Sequence, residues 1–254
     1  VDGALAVVGD RLATDLVDVT DDLSALDGEG FWAVVVPFDG PPVCARFASV
    51  RPAVPWPGRP WRGPAVSEWT SSLDQDGFEA GVREIRAAIG RGDVYQVNLT
   101  RRLSAPLPAG ANIAALGAAL AAGNPAPYAA VVRVPSAGLA VASASPEQFL
   151  RREDRRVWSS PIKGTASTAD LLTPKDRAEN VMIVDLVRND LGRVCEFGSV
   201  RVPSLCRVEA HPGLVHLVST VEGRLRDGLG WPELLDATFP PGSVTGAPKL
   251  AAVS

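Results

Sequence analysis

The chain has 254 residues, 46% of them apolar and 21% charged, an ordinary globular balance with enough material for one large domain or a large and a small one. A formal net charge of −4 and a pI near 5.3 exclude the basic field that nucleic acid or an anionic membrane would require, so a small-molecule partner is expected. The longest stretch without a charged side chain, residues 103–132, is interrupted by Pro106, Pro108, Gly110, Gly117, Gly123, Pro125 and Pro127. It cannot supply the roughly 20 continuous apolar helical residues of a membrane span.

In chain order, the apolar runs 5–8 and 31–38 predict strands, and the proline-rich stretch 52–64 predicts an extended, irregular connection. A boundary is expected at 69–74, dividing an N-terminal section, 1–73, from a larger domain, 74–254. Phe78, Val82, Ile85 and Ile89 recur at helical spacing, predicting a helix over 77–89 that stops at Gly90. Residues 94–103 predict a strand and 112–122 an alanine-rich helix. The segments 128–134, 138–142, 148–151 and 156–159 predict an antiparallel meander. Thr173-Pro174-Lys175-Asp176 has the form of a capping box with proline at the first helical position, predicting a helix to about residue 189 with Gly192 at its stop. Residues 199–208 and 215–225 predict strands, 231–238 a short helix, and Pro248 the start of another. Strands and helices mix without regular alternation, so the class is α+β.

No basic-then-apolar leader opens the chain, and secretion is not expected. Cys44, Cys195 and Cys206 match no zinc or redox spacing and fit reduced thiols in a cytoplasmic protein. Lysine is far rarer than arginine: only Lys163, Lys175 and Lys249 occur. A lysine kept in such a background marks a place for a compact ammonium or a deprotonatable amine, against the plain alternative of codon drift. Ser145-Pro146-Glu147 sets a carboxylate at a turn, and Pro161-Ile162-Lys163-Gly164-Thr165 sets an amine at a tight turn beside a glycine that admits close approach of a ligand. Glu179 and Asp176 share one side of the predicted helix, where an oxygen-liganded divalent ion would suit them; a solvated helix face is the plain alternative. Residues 241–249 combine glycines, hydroxyls and a helix start that would suit an anion. His211 and His216, five apart, match neither a helical metal pair nor two positions on one strand face.

Six blocks then occur in one order: 92–102 (GDVYQVNLTRR), 145–150 (SPEQFL), 161–165 (PIKGT), 175–194 (KDRAENVMIVDLVRNDLGRV), 215–225 (VHLVSTVEGRL) and 239–249 (FPPGSVTGAPK). In that order they resemble the chorismate-utilising enzyme family, which includes the large subunits of anthranilate and aminodeoxychorismate synthases and the isochorismate and salicylate synthases. The resemblance covers residues 74–254. It implies two large, packed antiparallel sheets flanked by helices. Gln96 stands where the water-adding members carry a lysine, and Lys163 stands where anthranilate synthases carry alanine, so the resemblance points to amination of chorismate at C4.

The same resemblance implies roles residue by residue. Lys163 would attack ring carbon C2 as the C4 hydroxyl leaves, with Glu147 as general acid, and ammonia would then add at C4 and expel the lysine. Glu179 matches a magnesium ligand, Gly164 and Thr165 lie against the substrate carboxylate, and His216 stands near the reacting ring. A glutamine amidotransferase subunit is the implied partner and source of ammonia. The family pattern continues past Ser254 through a further metal carboxylate, so a C-terminally incomplete domain is expected. Two alternatives stay open: an anthranilate synthase, disfavoured by Lys163, and a catalytically silent chorismate-binding subunit.

Overall fold

The computed structural model describes residues 3–56 and 58–254, so Pro57, within the connection expected over 52–64, lies outside the described residues. Strands β1 (Leu5–Val8), β2 (Arg11–Thr20), β3 (Phe31–Val35) and β4 (Val43–Pro52) open the chain. After them come β5 (Thr70–Ser71), helix α1 (Gln75–Arg91), β6 (Gln96–Val97), β7 (Leu103–Ser104) and α2 (Ile113–Gly123). Strands β8 (Tyr128–Val134), β9 (Leu139–Ser145), β10 (Gln148–Glu153), β11 (Arg156–Ser160) and β12 (Ile162–Ala166) lead to α3 (Pro174–Gly192). The chain closes with β13 (Arg201–His211), β14 (Leu214–Arg224), α4 (Trp231–Thr238), β15 (Gly246–Ala247) and α5 (Lys249–Val253). The α+β class is as expected, with antiparallel sheets and few helices.

These elements form two compact units. One comprises residues up to Val66 with Pro106–Glu147 and Gly230–Pro232; the other comprises Ser67–Ala105, Gln148–Leu229 and Glu233–Ser254. The first unit holds a six-stranded sheet in the order β3-β4-β2-β1-β8-β9. Its buried centre is made of small and β-branched side chains, Ala6, Ala13, Ala33, Ala45, Val132 and Val134, with Phe47. Alternation of inward and outward residues along each strand gives the sheet one apolar face. The helix α2 lies on β8 and β9, capped by the Asn112 side chain accepting from the Ala114 amide at 2.8 Å.

The second unit is built on a sheet in which β14 is central. β11, β12 and β13 all pair with it antiparallel, and β10 extends the sheet beyond β11. Helix α3 packs on β12, β13 and β14. Its buried residues, Asn180, Ile183, Val184, Val187, Asp190 and Leu191, follow the helical period, and two of the six are polar. That is unusual for a core-facing stripe. The capping box forms as expected, with the Thr173 hydroxyl accepting from the Asp176 amide and the Asp176 carboxylate accepting from the Thr173 amide.

Several expectations are corrected. The strand expected over 94–103 is only the two-residue β6 and β7, because Gln96 and Val97 pair with β15 while Leu103 and Ser104 pair with β5. The expected meander is split: β8 and β9 belong to one sheet and β10 and β11 to the other, parted at Pro146–Glu147. Helix α1 runs past Gly90 and ends at Gly92, whose left-handed φ of 83° makes it the C-cap. Residues 162–166 are a strand rather than a tight turn.

Candidate active site

Lys163 sits where β12 departs from regular pairing. Ile162 is opposite Val218 and Thr165 is opposite His216, so Lys163 and Gly164 together face the single residue Leu217. Two residues against one is a β-bulge, a device that re-aims side chains. The Lys163 ammonium accordingly donates to the Ser243 carbonyl at 2.8 Å. That carbonyl also accepts from Asn98 Nδ2 at 3.1 Å. The segment read from sequence as suiting an anion therefore turns a carbonyl oxygen toward a cation here. Helix α5, which follows it, is only five residues long and has no side-chain cap.

Gly164 has a physical reason to be glycine that the sequence did not reveal. Its φ is +90°, and a Cβ there would stand 2.8 Å from Asp176 Cβ and 3.1 Å from Leu217 Cδ1. The start of α3 thus packs where a Cβ would stand. Gly164→Ala is expected to lower stability by about 1–3 kcal/mol, from backbone strain and overpacking together. Urea unfolding of the variant beside the parent measures this, and an unchanged midpoint would refute the packing account.

His216 is buried on β14, and its Nδ1 lies 2.8 Å from the exposed Thr165 hydroxyl on the neighbouring strand. The β13–β14 hairpin sets Glu209 opposite His216 and stacks the His211 ring edge-on against it, centroids 4.9 Å apart. Their five-residue spacing, unsuited to one helix or one strand, is brought together by the turn between two strands. Burial, followed by the nearby His211, pushes His216 below its ordinary pKa, while Glu209 pulls the other way. The shift favours the neutral imidazole, which can both accept and donate one hydrogen bond.

Gln96 lies on β6, directly opposite Ala247. Its Nε2 donates to Asn98 Oδ1 at 3.4 Å, while its Oε1 is buried without a hydrogen-bond partner among the described residues. A buried acceptor left open is costly in a folded protein, and such an atom is suited to a donor brought by a ligand. Glu147 is half-buried in the other compact unit, where its amide donates to the Ser145 hydroxyl at 3.2 Å.

On α3, Glu179 is one-third exposed and pairs with Lys175 at 3.3 Å. Asp176, on the same side, is committed to the capping box, and its hydrogen bonds to Thr173 lower its pKa. Among the described residues no three His, Cys, Asp or Glu side chains gather as a metal cage. One accessible carboxylate fits a magnesium ion that takes its other ligands from substrate and water, as that ion commonly does. It does not fit an all-protein calcium or zinc cage.

One further pairing escaped sequence reasoning. Lys249, the third lysine, donates to Asp190 Oδ2 and to the Thr238 carbonyl, each at 2.7 Å, with both charged side chains nearly fully buried. The pair ties both ends of residues 238–249 to α3, with the Ser243 carbonyl between them. Neither buried thiol competes as a nucleophile. Burial raises both Cys44 and Cys195, the latter to about 11.

A family profile described as chorismate binding enzyme matches residues 53–254. Among characterised relatives, the chain is 44% identical over 200 residues to aminodeoxychorismate synthase component 1 of Klebsiella aerogenes, covering 74% of this chain and 44% of that protein. It is 42% identical over 191 residues to an anthranilate synthase component 1 of Haloarcula marismortui, covering 70% of this chain and 38% of that protein. The chain thus spans less than half the length of these relatives. Among solved structures, the menaquinone-specific isochorismate synthase MenF of Escherichia coli superposes with a TM-score of 0.74 at 17% identity, over 98% of this chain and 71% of that one, a likeness of fold.

Proposed function

The chain belongs to the chorismate binding enzyme family, and on that premise we propose that it carries the C4 amination of chorismate, giving 4-amino-4-deoxychorismate, the reaction of an aminodeoxychorismate synthase component 1. The observation that carries this reading over anthranilate synthesis is Lys163, an amine at a β-bulge with its ammonium directed at the Ser243 carbonyl. An arginine at this place could not act, because its guanidinium stays protonated. The high identity to an aminodeoxychorismate synthase component 1 supports the same branch.

In this mechanism Lys163 gives up its ammonium proton to solvent, the free amine forms a bond to C2, both ring double bonds shift, and the C4 oxygen leaves as water. Glu147, assigned on its motif alone, supplies the proton to the departing oxygen. Ammonia then bonds to C4, both double bonds shift back, and the C2–nitrogen bond breaks to return the lysine, which takes up the surplus proton of the new amine. The open Oε1 of Gln96 supports a role in accepting an N–H of that ammonia. Neutral His216 supports a hydrogen-bonding rather than a charged role near the ring, and Gly164 and Thr165 are assigned to the substrate carboxylate. Glu179 would hold magnesium, which when bound neutralises the ring carboxylate and orients it.

A second component supplying ammonia from glutamine accords with the "component 1" in the relative's name. Three free cysteines accord with a reducing, cytoplasmic setting, and no helix among the described residues is long and apolar enough to cross a membrane. The test is product identity. The full-length protein, incubated with chorismate, magnesium and ammonium at mildly alkaline pH, is expected to yield aminodeoxychorismate by liquid chromatography with mass detection. Anthranilate would move the chain to the other synthase, and chorismate binding without product would mark a silent binder.

A further inference from the structure

The bulge at Lys163 is one of several in this sheet, and one on β13 lies across β14 from it. On β12, Lys163 and Gly164 face Leu217 alone; on β13, Leu205 and Cys206 face Ser219 alone. Leu217 and Ser219 are two apart on β14, so their side chains share one face of the sheet, while β12 and β13 flank that strand on opposite edges. Cys206 takes a positive φ of 52°, which only a few per cent of non-glycine residues adopt. A bulge breaks the ladder locally and leaves backbone groups to be satisfied from elsewhere.

One side chain joins both breaks. Asn180, 1% exposed on α3, donates from Nδ2 to the Leu217 carbonyl at 2.9 Å and to the Lys163 carbonyl at 3.4 Å. Its Oδ1 accepts from the Ser219 hydroxyl and from Cys206 Sγ at 3.6 Å, while Ser219 Oγ accepts the Cys206 amide at 2.8 Å. The amide thus uses both of its faces. Neither an aliphatic side chain nor a carboxylate of the same size could donate to two carbonyls and accept from two donors at once.

We propose that Asn180, completed by Ser219, is a positioning residue for the Lys163 nucleophile: it fixes the bulge on β12 and thereby the direction of the Lys163 side chain toward the Ser243 carbonyl. This rests on the reading of Lys163 as nucleophile and adds to it a residue that touches no reacting atom. A nucleophile displaced by as little as 1 Å loses rate without losing substrate affinity.

Asn180→Ala and Ser219→Ala are compared with the parent and with Lys163→Ala for kcat, KM for chorismate, unfolding midpoint, and the rate of reductive methylation of Lys163 read by peptide mass. Asn180→Ala is expected to lower kcat on the order of 10- to 100-fold with KM changed by less than about 3-fold, and Ser219→Ala to lower kcat by a smaller factor. Methylation of Lys163 is expected to rise several-fold in both, since a freed bulge no longer holds the amine on the Ser243 carbonyl. A change in folding stability alone would not move kcat of the folded fraction or the methylation rate at low temperature. Should Asn180→Ala fail to fold, Ser219→Ala decides. Parent-like kcat and parent-like methylation in the folded variants would overturn the proposal while leaving the lysine mechanism standing; if Lys163→Ala itself keeps full activity, it is the mechanism that fails.

Discussion

Lys163→Ala is expected to reduce aminodeoxychorismate formation by about a thousand-fold or more, the loss of roughly 4 kcal/mol of transition-state stabilisation, while the folded protein still binds chorismate. The side chain is half-buried, and its ammonium engages the Ser243 carbonyl, so truncation removes the reacting atom and leaves the strand pairing intact. Lys163→Arg is expected to be as inactive as the alanine variant, because it keeps the charge and the reach but supplies no lone pair. Two measurements decide: steady-state rates for the three proteins, and the mass of the Lys163 peptide after rapid acid quench with chorismate but no ammonia. The parent should carry the added mass of the ring, and the variants should not. An alanine variant within ten-fold of the parent would remove the lysine from the mechanism and leave direct attack by ammonia, as the anthranilate reading would have it.

Lys249→Met is expected to cost about 3–5 kcal/mol of folding stability at neutral pH, because it leaves a buried carboxylate without its cation. Asp190 is 6% exposed, and burial raises its pKa even though the hydrogen bond and charge of Lys249 oppose the rise. Without Lys249 only the charge of Arg193 opposes that upward push, so the folded carboxyl keeps its proton to a higher pH than in the parent. Its folded pKa then lies above the unfolded one, so the variant is relatively more stable below the unfolded carboxyl range and loses stability as pH rises through the folded value. The deficit against the parent should therefore shrink between pH 7 and pH 5. The double change Asp190→Asn with Lys249→Met should recover a substantial part of it, since a neutral pair in the same space avoids the buried charge. Unfolding midpoints at the two pH values test both statements. A Lys249→Met variant as stable as the parent would mean that residues 238–249 are held by packing alone.

What sequence made legible divides along a physical line. Local signals were sound: the Thr173–Asp176 capping box formed, α4 took its expected bounds, and the strands at 5–8 and 128–134 stand where β-branched and apolar runs placed them. The strands β2 and β4 were not foreseen, because partners far apart in sequence, such as Thr14 and Ser49, confer pairing that no local pattern announces. The same holds at the site. Lys163, Glu179 and His216 could be singled out by residue type and motif. The groups around Lys163, namely Ser243, Asn180 and Asn98, could not, since the Lys163–Ser243 and Asn98–Ser243 contacts span 80 and 145 positions. Asn180 lay inside a quoted motif yet reads on its own as an ordinary polar helix residue. Gly164 could be marked as special from its motif, but the close approach of Asp176 at the start of α3, which a Cβ would meet, could not be read from it.

The strand order of the first unit bears on how the chain is made. β1 lies between β2 and β8, so Val8 meets Arg11 at once, whereas its other neighbour, Ala130, is far along the chain. Residues 67–105, synthesised in between, belong to the other unit. Closing so long a loop adds little to the thermodynamic cost, about 0.6 kcal/mol per doubling of length, but non-local pairing of this kind slows folding. At ribosomal speeds of about 5–20 residues per second, the free edge of β1 waits on the order of ten seconds for β8 to emerge. During that interval the nascent chain displays an open row of backbone donors and acceptors, the surface that holding chaperones and neighbouring chains compete to cover.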